Sequence, residues 1–220
     1  MAEDIRNMKS IAGIREFEKK FEVPDCILLD SEYCSMGRMI GHKACEISGY
    51  TYYDAVILLE MVEEEGVTVE DVLAFEKKLR KADITREEIS NDSAYERIAH
   101  AFDKAVDKAL AKGKCLIHDR ATREMIEAKG YSCICVLTYN DNIPSKIIRA
   151  KASSLYQDLR EDEEVIAMIH EEDNIRINYH KAHSDTVWGD KYIYDLCINS
   201  EALGLEYSAI LLSQLMQKVR

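Results

Sequence analysis

Short apolar runs alternate along this chain with longer segments in which apolar residues recur every three or four positions. Four runs predict strands, CILLD (26–30), KCLIH (114–118), YSCICVL (131–137) and IYDLCIN (193–199), and YTYYD (50–54) predicts a weaker fifth. The four stronger runs are apolar on both alternating faces, which is typical of parallel strands covered by helices on each side. The pattern therefore predicts a buried parallel sheet.

The longer segments predict helices. Residues 37–48 follow the first strand, and residues 92–112 carry apolar side chains at helical spacing. Residues 144–158 begin with Pro144, which suits the first turn of a helix, and residues 201–219 close the chain. Strand–helix alternation of this kind predicts an α/β fold, a doubly wound five-stranded parallel sheet with ligands at the carboxyl ends of its strands.

Two insertions and an N-terminal extension interrupt the alternation. Residues 55–112 predict only helices between the second and third strands, and residues 159–190 are charged and helical before the last strand. Each insertion is long enough to form a small lobe over the strand ends. Residues 1–25 predict an added helix, and the main domain would span residues 26–220.

Composition and charge narrow the classes of function. With 220 residues, 47% of them hydrophobic, and only two prolines, the chain is long enough to bury a core and has no segment typical of a linker. The formal net charge of −12 argues against a nucleic-acid or membrane partner, because phosphate backbones need a basic face. A small anion held by a few arginines remains compatible with this charge.

The cysteines indicate a reducing, cytoplasmic location. Five of the seven lie inside apolar runs, where a free cysteine behaves as a small buried hydrophobe. The N-terminus MAEDIRNMKS has no apolar core of a signal peptide, and the apolar runs are too short to cross a bilayer. Cys133 and Cys135 share one face of a strand; without a CxxC pattern, packing is favoured over a metal or redox pair.

The stretch LDSEYCSMGRMIG (29–41) joins a strand to a helix through a short turn. Such a turn places backbone N–H groups and the helix dipole at one point, an arrangement that binds phosphate. In the Walker pattern GxxxxGK[ST], the lysine reaches the terminal phosphates and the hydroxyl holds magnesium. Here the same frame has Glu32, Gly37, Arg38 and Met39. Spacing alone fits either a phosphate-binding loop or an ordinary strand–helix turn.

Charged residues also follow two other strands. Asp119 and Arg120 come after the third strand, where they would reach a ligand or, alternatively, form the N-terminal region of the next helix. Tyr53 and Asp54 end the second strand, and Asp54 would serve equally as an N-cap.

Polar residues near the end of the chain give a further cluster. Asp173 and Arg176 are three positions apart and share a helical face, where an exposed pair contributes little. His170, His180 and His183 lack the cysteine or carboxylate partners of a metal site, so the sequence assigns no metal ligands.

Taken in order, these pieces resemble the cytidylate-kinase-like family of P-loop proteins, relatives of the nucleoside monophosphate kinases. DSEYCSMGRMIG (30–41) fits the family's SREFGSGGREIG without a gap, and Tyr52, Tyr53 and Asp54 match its YYD. Arg120 in LIHDRAT (116–122) matches the family's GR after the third strand. The late signature matches through Asp173, Arg176 and Tyr179, followed by WGDKYIYDLCINSEALG. The similarity covers about residues 26–219.

The resemblance implies a P-loop nucleoside monophosphate kinase-like fold with an acceptor-binding lobe at 55–112 and a lid at about 150–190. It implies transfer of the terminal phosphoryl group of ATP, with Mg²⁺, to a nucleoside monophosphate or similar small acceptor. Positioning and charge stabilisation dominate such catalysis, so arginines matter most.

The resemblance also assigns roles to residues. Ser35, Met36, Gly37, Arg38 and Met39 would form the phosphate-binding loop, with Arg38 in the place of the Walker lysine. Tyr53, Asp54 and Arg120 would bind the acceptor, and Arg149, Asp173 and Arg176 would act from the lid. The catalytic arginines would be Arg38, Arg120 and Arg176.

The sequence departs from the family at Cys34 and Met36, which replace glycines, and at His118 and Asp119, which replace VG. If the backbone at Cys34 or Met36 takes a positive φ, each residue is strained, because its side chain clashes. Their bulk would also keep phosphate from the backbone N–H groups. The alternative function is therefore a catalytically impaired nucleotide-binding or protein-interaction descendant of the fold.

Overall fold

A computed structural model gives the fold of residues 21–153 and 161–217. Five strands form one sheet: β1 (Cys26–Ser31), β2 (Thr51–Tyr53), β3 (Cys115–His118), β4 (Cys133–Tyr139) and β5 (Leu196–Asn199). The order across the sheet is β2-β3-β1-β4-β5, and all four pairings are parallel. The predicted five-stranded parallel sheet is confirmed.

Helices connect and cover these strands. The described residues form α1 (Gly37–Ser48), α2 (Ala55–Glu60), α3 (Val69–Leu79), α4 (Arg86–Ser90), α5 (Tyr95–Ala111), α6 (Arg123–Ala128), α7 (Ile143–Ala152), α8 (Asp162–His183) and α9 (Ser200–Gln214). Short 3-10 helices occupy Glu63–Glu65 and Lys191–Ile193. Four of the helices, α2 to α5, lie between β2 and β3.

Element boundaries differ from the sequence pattern where local turns intervene. The run predicted as a strand at 193–199 becomes strand only from Leu196, because a 3-10 helix ends at Ile193. The final helix is interrupted at Gly204, where φ is 70° and ψ is 171°. The helix predicted at 144–158 is described as far as Ala152; residues 154–160, and the extension predicted at 1–25 up to residue 20, lie outside the described part.

The core lies on both faces of the sheet, since the strand residues alternate between them. Leu28 and Ile117 pack on one side with helices of the β2–β3 insertion and with α8. Leu29 and Leu116 pack on the other side with α1 and α9. All seven cysteines are free, and the sulfur atoms of Cys26 and Cys115 are 3.9 Å apart within the first core. Across the described ranges, no helix is both long and apolar enough to span a membrane.

Candidate functional site

A cavity of about 690 Å³ lies over the carboxyl ends of β1 and β3. One side of it is formed by the segment after β1, residues 32–39, here named the phosphate loop. The opposite side, here named the acceptor wall, is formed by four charged residues, Asp54, Glu76, Arg120 and Arg176. The position agrees with the general placement of ligand sites in parallel α/β sheets.

The phosphate loop takes the left-handed backbone conformation at two side-chain-bearing residues. Cys34 has φ 63° and Met36 has φ 62°. Each such residue costs on the order of 1–2 kcal/mol relative to glycine, so the strain predicted for a positive φ applies to both. Cys34 packs against a cluster formed by α7 and α8, whereas Met36 packs against the cluster beneath α1 and α9. These contacts on opposite sides offset part of the strain.

Gly37 fixes the close approach of α1 to the sheet. A Cβ atom at this position would lie 2.3 Å from Cβ of Ser31 and 2.7 Å from Oγ1 of Thr138. The helix therefore begins directly against the end of β1. The N–H groups of Gly37, Arg38 and Met39, in its first turn, have no acceptor within the helix, and these residues line the cavity.

A buried ion pair holds the start of the phosphate loop. Nζ of Lys146, a residue only 6% exposed, donates to Oε2 of Glu32 at 2.7 Å. The same carboxylate oxygen accepts a bond from the backbone N–H of Asn140 at 3.1 Å. Thus Glu32, at the position of the first Walker glycine, anchors the loop to α7. The sequence pattern did not single out Lys146, since its burial depends on tertiary packing.

Two lid-side residues also hold the phosphate loop. Oδ1 of Asp173 accepts a bond from the N–H of Tyr33 at 2.6 Å, and Nη1 of Arg149 donates to the carbonyl of Cys34 at 3.0 Å. Arg149 also pairs with Glu201 at 2.5 Å. The loop backbone is therefore fixed by side chains of α7 and α8.

Arg38 lies at the rim of the cavity, with 63% of its side chain exposed. Its Nε donates to Oδ2 of Asp54 at 3.0 Å, and Nη2 contacts the same oxygen. Oδ1 of Asp54 accepts bonds from the N–H groups of Val56 and Ile57, so the N-cap interpretation of Asp54 is confirmed. Burial favours a higher pKa for Asp54, but the bonds from Arg38 and from the Ile57 N–H outweigh it and lower that pKa.

Asp119 is the central carboxylate of the site. Its Oδ1 accepts a bond from the N–H of Ser31 at 3.1 Å, and its Oδ2 lies 3.2 Å from Nε of Arg176. Burial favours a higher pKa for Asp119, but His118 and the nearby arginines lower it overall. The next helix begins at Arg123, so the interpretation of Asp119 as part of a helix N-terminus is wrong.

His118 connects the floor of the cavity to β2. Its Nε2 lies 2.8 Å from Oγ of Ser31, and its Nδ1 lies 2.9 Å from the hydroxyl of Tyr52. Burial lowers the pKa of His118, which keeps the ring neutral at pH 7 and able both to donate and to accept a hydrogen bond. The His118 that replaces a family valine is thus part of a hydrogen-bonded floor.

The two inner arginines are paired within the chain. Nη2 of Arg120 contacts Oε1 of Glu76, and Nη1 donates to the carbonyl of Asp119 at 2.8 Å. Nη1 of Arg176 donates to the carbonyl of Glu172 at 2.7 Å, in addition to the bond with Asp119. The expectation that Arg176 belongs to a solvated pair is wrong, because only 18% of its side chain is exposed.

Asp30 lies beneath the acceptor wall at the end of β1. Burial and the neighbouring Asp119 raise the pKa of Asp30 to about 7. The hydroxyl of Tyr194 donates to its Oδ2 at 2.8 Å. No local pattern in the sequence distinguishes this buried acid from the other strand-end carboxylates.

The structure brings together most of the residues assigned by the resemblance, but not all of them. Those that line the cavity are Met36, Gly37, Arg38, Met39, Asp54, Arg120, Arg149 and Arg176. Ser35 is buried beneath the loop with its hydroxyl 3.2 Å from that of Thr138, and Asp173 supports the loop from α8. Tyr53 packs in the core because the strand alternation turns it away from the cavity.

The oxygen atoms that the side chains around the cavity supply determine whether a magnesium ion fits there. Met39 takes the place of the magnesium-binding hydroxyl and supplies no oxygen, and the described ranges contain no group of three or more His, Cys, Asp or Glu that could hold a metal. Asp119 supplies one carboxylate beside the phosphate loop. Mg²⁺ commonly binds through one or two carboxylates, water and substrate phosphates. The residues therefore fit a magnesium ion held mainly by a nucleotide, with Asp119 as the protein ligand.

The fold is shared with a solved structure, and two kinases have a lower similarity. A structure of an uncharacterized protein from Eubacterium ventriosum ATCC 27560 is similar with a TM-score of 0.64 and 16% identity, over 87% of this chain and 98% of that one. Shikimate kinase from Acinetobacter baumannii, in complex with shikimate, gives a TM-score of 0.43 and 11% identity, over 90% of this chain and 93% of that one. Deoxyadenosine kinase from M. mycoides, with bound dATP, gives a TM-score of 0.44 and 14% identity, over 88% of this chain and 100% of that one.

No curated protein matches this chain in sequence. The model of the cytidylate kinase-like family matches residues 26–202, which include the phosphate loop, the acceptor wall and all five strands. The chain therefore belongs to the cytidylate kinase-like family.

Proposed function

We propose that this protein binds ATP at the phosphate loop and transfers its terminal phosphoryl group to a small acceptor held against the acceptor wall. The observation that carries the proposal is the first turn of α1, in which Gly37, Arg38 and Met39 line the cavity and their N–H groups have no acceptors within the helix. Backbone N–H groups at a helix N-terminus bind phosphate through hydrogen bonds and the helix dipole. The family membership agrees with this use.

Arg38 would supply positive charge at the rim of the phosphate site. It is exposed and its partner Asp54 is the N-cap of α2, directly after β2, so a triphosphate would draw the guanidinium away from Asp54 over a short distance. Arg149, already bonded to the loop carbonyl of Cys34, would face the same phosphates from α7. Charge stabilisation of the transferred group is the main contribution such side chains make.

A magnesium ion would be held by the nucleotide phosphates, water and Asp119. When bound, it neutralises phosphate charge that develops during transfer. The chain's own contribution is to fix Asp119, which the Ser31 N–H and Arg176 hold between the loop and the acceptor wall.

One observation favours the second candidate, a nucleotide-binding protein without transfer. The Walker hydroxyl is absent at Met39, and Cys34 and Met36 bring side chains into a loop in which the family has glycine. Tight binding of ATP with no turnover of any acceptor would favour this candidate over a kinase.

Calorimetric titration with ATP and Mg²⁺ tests the proposal, using the wild type, Arg38→Ala and Arg97→Ala. Arg97 is a matched control because it is 50% exposed, pairs with Asp71 and lies outside the cavity. We expect Arg38→Ala to lower the ATP affinity by about tenfold or more, since a charge-assisted phosphate contact contributes at least 1–2 kcal/mol. Both variants should unfold within about 1 kcal/mol of the wild type, as for exposed ion pairs.

Failure of ATP to bind the folded wild type would overturn the proposed function. Equal loss of affinity in Arg38→Ala and Arg97→Ala would also contradict it, because the effect would then be a general one of charge.

A further inference from the structure

One face of α9 exposes large apolar side chains. Beyond the interruption at Gly204, Tyr207 is 71% exposed and Ile210 is 46% exposed, and Leu211 is exposed beside them. Residues three and four positions apart are neighbours on a helix surface, so these three side chains form one stripe. The opposite face of the helix is buried in the core through residues such as Leu212.

The neighbouring helix α1 extends this stripe. Lys43 of α1 pairs with Glu206 of α9, and Ile47 and Ile210 each lie four positions further along their helices. Both helices follow a parallel strand and run in the same direction, so Ile47 lies one turn below the ion pair, as Ile210 does. Ile47 is also exposed. The four residues Ile47, Tyr207, Ile210 and Leu211 are here named the α9 patch. A cluster of exposed apolar side chains is typical of an interaction surface.

The chain enters the sheet on the side that carries this patch. Val23 packs against the core cluster beneath α1 and α9, which also contains Met216 near the end of α9. The hydroxyl of Tyr50 donates to the carbonyl of Pro24 at 2.6 Å and fixes the approach to β1. Residues 1–20 therefore join the described part of the chain near the last turn of α9.

The segment that precedes this point has apolar residues at helical spacing. Ile14, Phe17 and Phe21 are three and four positions apart, so they share one face of a helix. Phe21, the first described residue, is exposed. A helix from Ile14 to Phe21 is about 10 Å long, which is enough to cover the roughly 6 Å of helix axis between Tyr207 and Leu211.

Charge favours this segment over a second copy of the chain as the occupant of the patch. Glu46 and Glu206 border the patch and are exposed, whereas the segment carries Arg15, Lys19 and Lys20 beside its apolar residues. Opposite charges at the rim of an apolar contact select the partner and its orientation. A symmetric contact between two copies would bring one acidic border against the same acidic border.

We propose that residues 1–20 dock as an amphipathic helix on the α9 patch, with Ile14, Phe17 and Phe21 against its apolar side chains. The contact is small, but the segment is covalently joined beside the patch, and such a tether gives an effective concentration on the order of millimolar. The helix predicted in the N-terminal extension thereby gains the apolar surface that it needs. This inference is independent of nucleotide binding.

Hydrogen–deuterium exchange of the full chain, read by mass spectrometry, tests the docking. We expect the amides of residues 14–20 to exchange at least about tenfold more slowly than those of a synthetic peptide of residues 1–20, because a docked helix protects its hydrogen bonds. Ile210→Glu places a charge in the centre of the patch and should abolish this protection. Tyr207→Glu serves as the second variant should Ile210→Glu unfold.

The matched control is Leu73→Glu. Leu73 is 59% exposed on α3, whose buried residues pack on the opposite face of the sheet, so this variant should keep the protection of residues 14–20. The inference is overturned if these residues exchange in the wild type as fast as in the peptide. It is also overturned if the protection survives in both patch variants, because the segment would then dock elsewhere.

Sedimentation velocity on the wild type and Ile210→Glu distinguishes the second copy. A monomeric wild type with protected residues 14–20 supports the proposal. A dimer that Ile210→Glu dissociates, with residues 14–20 unprotected in the wild type, would assign the patch to a second copy and contradict it.

Discussion

The phosphate loop and the acceptor wall face each other across one cavity, but they present their binding groups differently. In the loop, the N–H groups at the start of α1 are left without helical acceptors, while Lys146 bonds the carboxylate of Glu32 and Arg149 bonds the carbonyl of Cys34. In the wall, Arg120 and Arg176 are bonded to carboxylates of the same chain. An anion would therefore reach the loop N–H groups without competing with a helical acceptor, whereas at Arg120 or Arg176 it would break an ion pair that is largely buried.

Under the proposed function, this difference would place phosphate binding at the loop and acceptor binding at the wall. The loop depends on backbone geometry, so its function should respond to changes at Gly37 and Cys34. The wall depends on charge pairing above the buried Asp30, so the free energy of unfolding of the protein should respond to pH.

Asp30→Asn should give the largest effect on stability. The pKa of Asp30 in the folded protein is raised to about 7, above its ordinary 3.8, so folding favours the protonated acid. Ionisation of Asp30 therefore lowers the stability progressively between about pH 4 and pH 7, and not further above pH 7. We expect Asp30→Asn to match the wild type near pH 4 and to exceed its free energy of unfolding above pH 7 by on the order of 4 kcal/mol.

Urea unfolding of both proteins from pH 4 to pH 8 checks this result. Subtracting the two free energies of unfolding at each pH cancels the contributions of groups that titrate alike in both proteins, such as the buried histidines. Parallel pH profiles for the two proteins would show that folding does not raise the pKa of Asp30, and burial beneath the acceptor wall would then not favour the protonated acid.

Gly37→Ala should break the loop. The added methyl group would lie 2.3 Å from Cβ of Ser31, so α1 must shift away from β1. We expect a loss of about 3 kcal/mol in the free energy of unfolding, typical of overpacking, together with loss of ATP binding. Urea unfolding and calorimetry measure the two effects.

The matched control for this change is Gly66→Ala. Gly66, unlike Gly37, has a positive φ, 67°, and no heavy atom lies within 4 Å of the added methyl group. It should lose only about 1 kcal/mol from backbone strain and retain its ATP affinity. Retained ATP affinity in Gly37→Ala would refute the idea that the approach of α1 to β1 forms the phosphate site.

A smaller effect tests the backbone strain in the loop. At Cys34, φ is 63°, so glycine relieves strain that alanine retains, while both lose the sulfur contacts with α7 and α8. Cys34→Gly should therefore be more stable than Cys34→Ala by about 1 kcal/mol. The order should reverse at Cys45, inside α1, where glycine is less stable than alanine by about 1 kcal/mol. The same order at both positions would contradict the strain assigned to Cys34.

The sequence predicted the parts of the molecule that depend on local pattern. The strands of the sheet were predicted from apolar runs. The helix α1 was predicted at 37–48 and spans these residues, because the strand, turn and helix around the loop are contiguous in the chain. The N-cap at Asp54 was also readable, since an aspartate directly before a helical pattern has few other local roles.

The acceptor wall could not be predicted in the same way. Glu76 reads as one acidic residue on an exposed helical face, and only the packing of α3 brings it to Arg120, 44 residues away. The solvated pair expected for Asp173 and Arg176 was wrong for a similar reason, because the spacing of two residues does not determine whether they are exposed. For Asp119, the left-handed φ of 59° separates it from the helix that follows and turns it toward the cavity floor.

The most direct measurement is a titration of the ¹⁵N-labelled protein with a non-hydrolysable ATP analogue and Mg²⁺, followed by two-dimensional NMR. We predict that the largest shifts occur at the amides of Gly37, Arg38 and Met39, as their N–H groups gain phosphate acceptors. The amides of α4, none of whose residues lines the cavity, should shift little. Saturation of the protein with those three amides unchanged, or no binding of the analogue, would contradict the central claim that this loop binds phosphate.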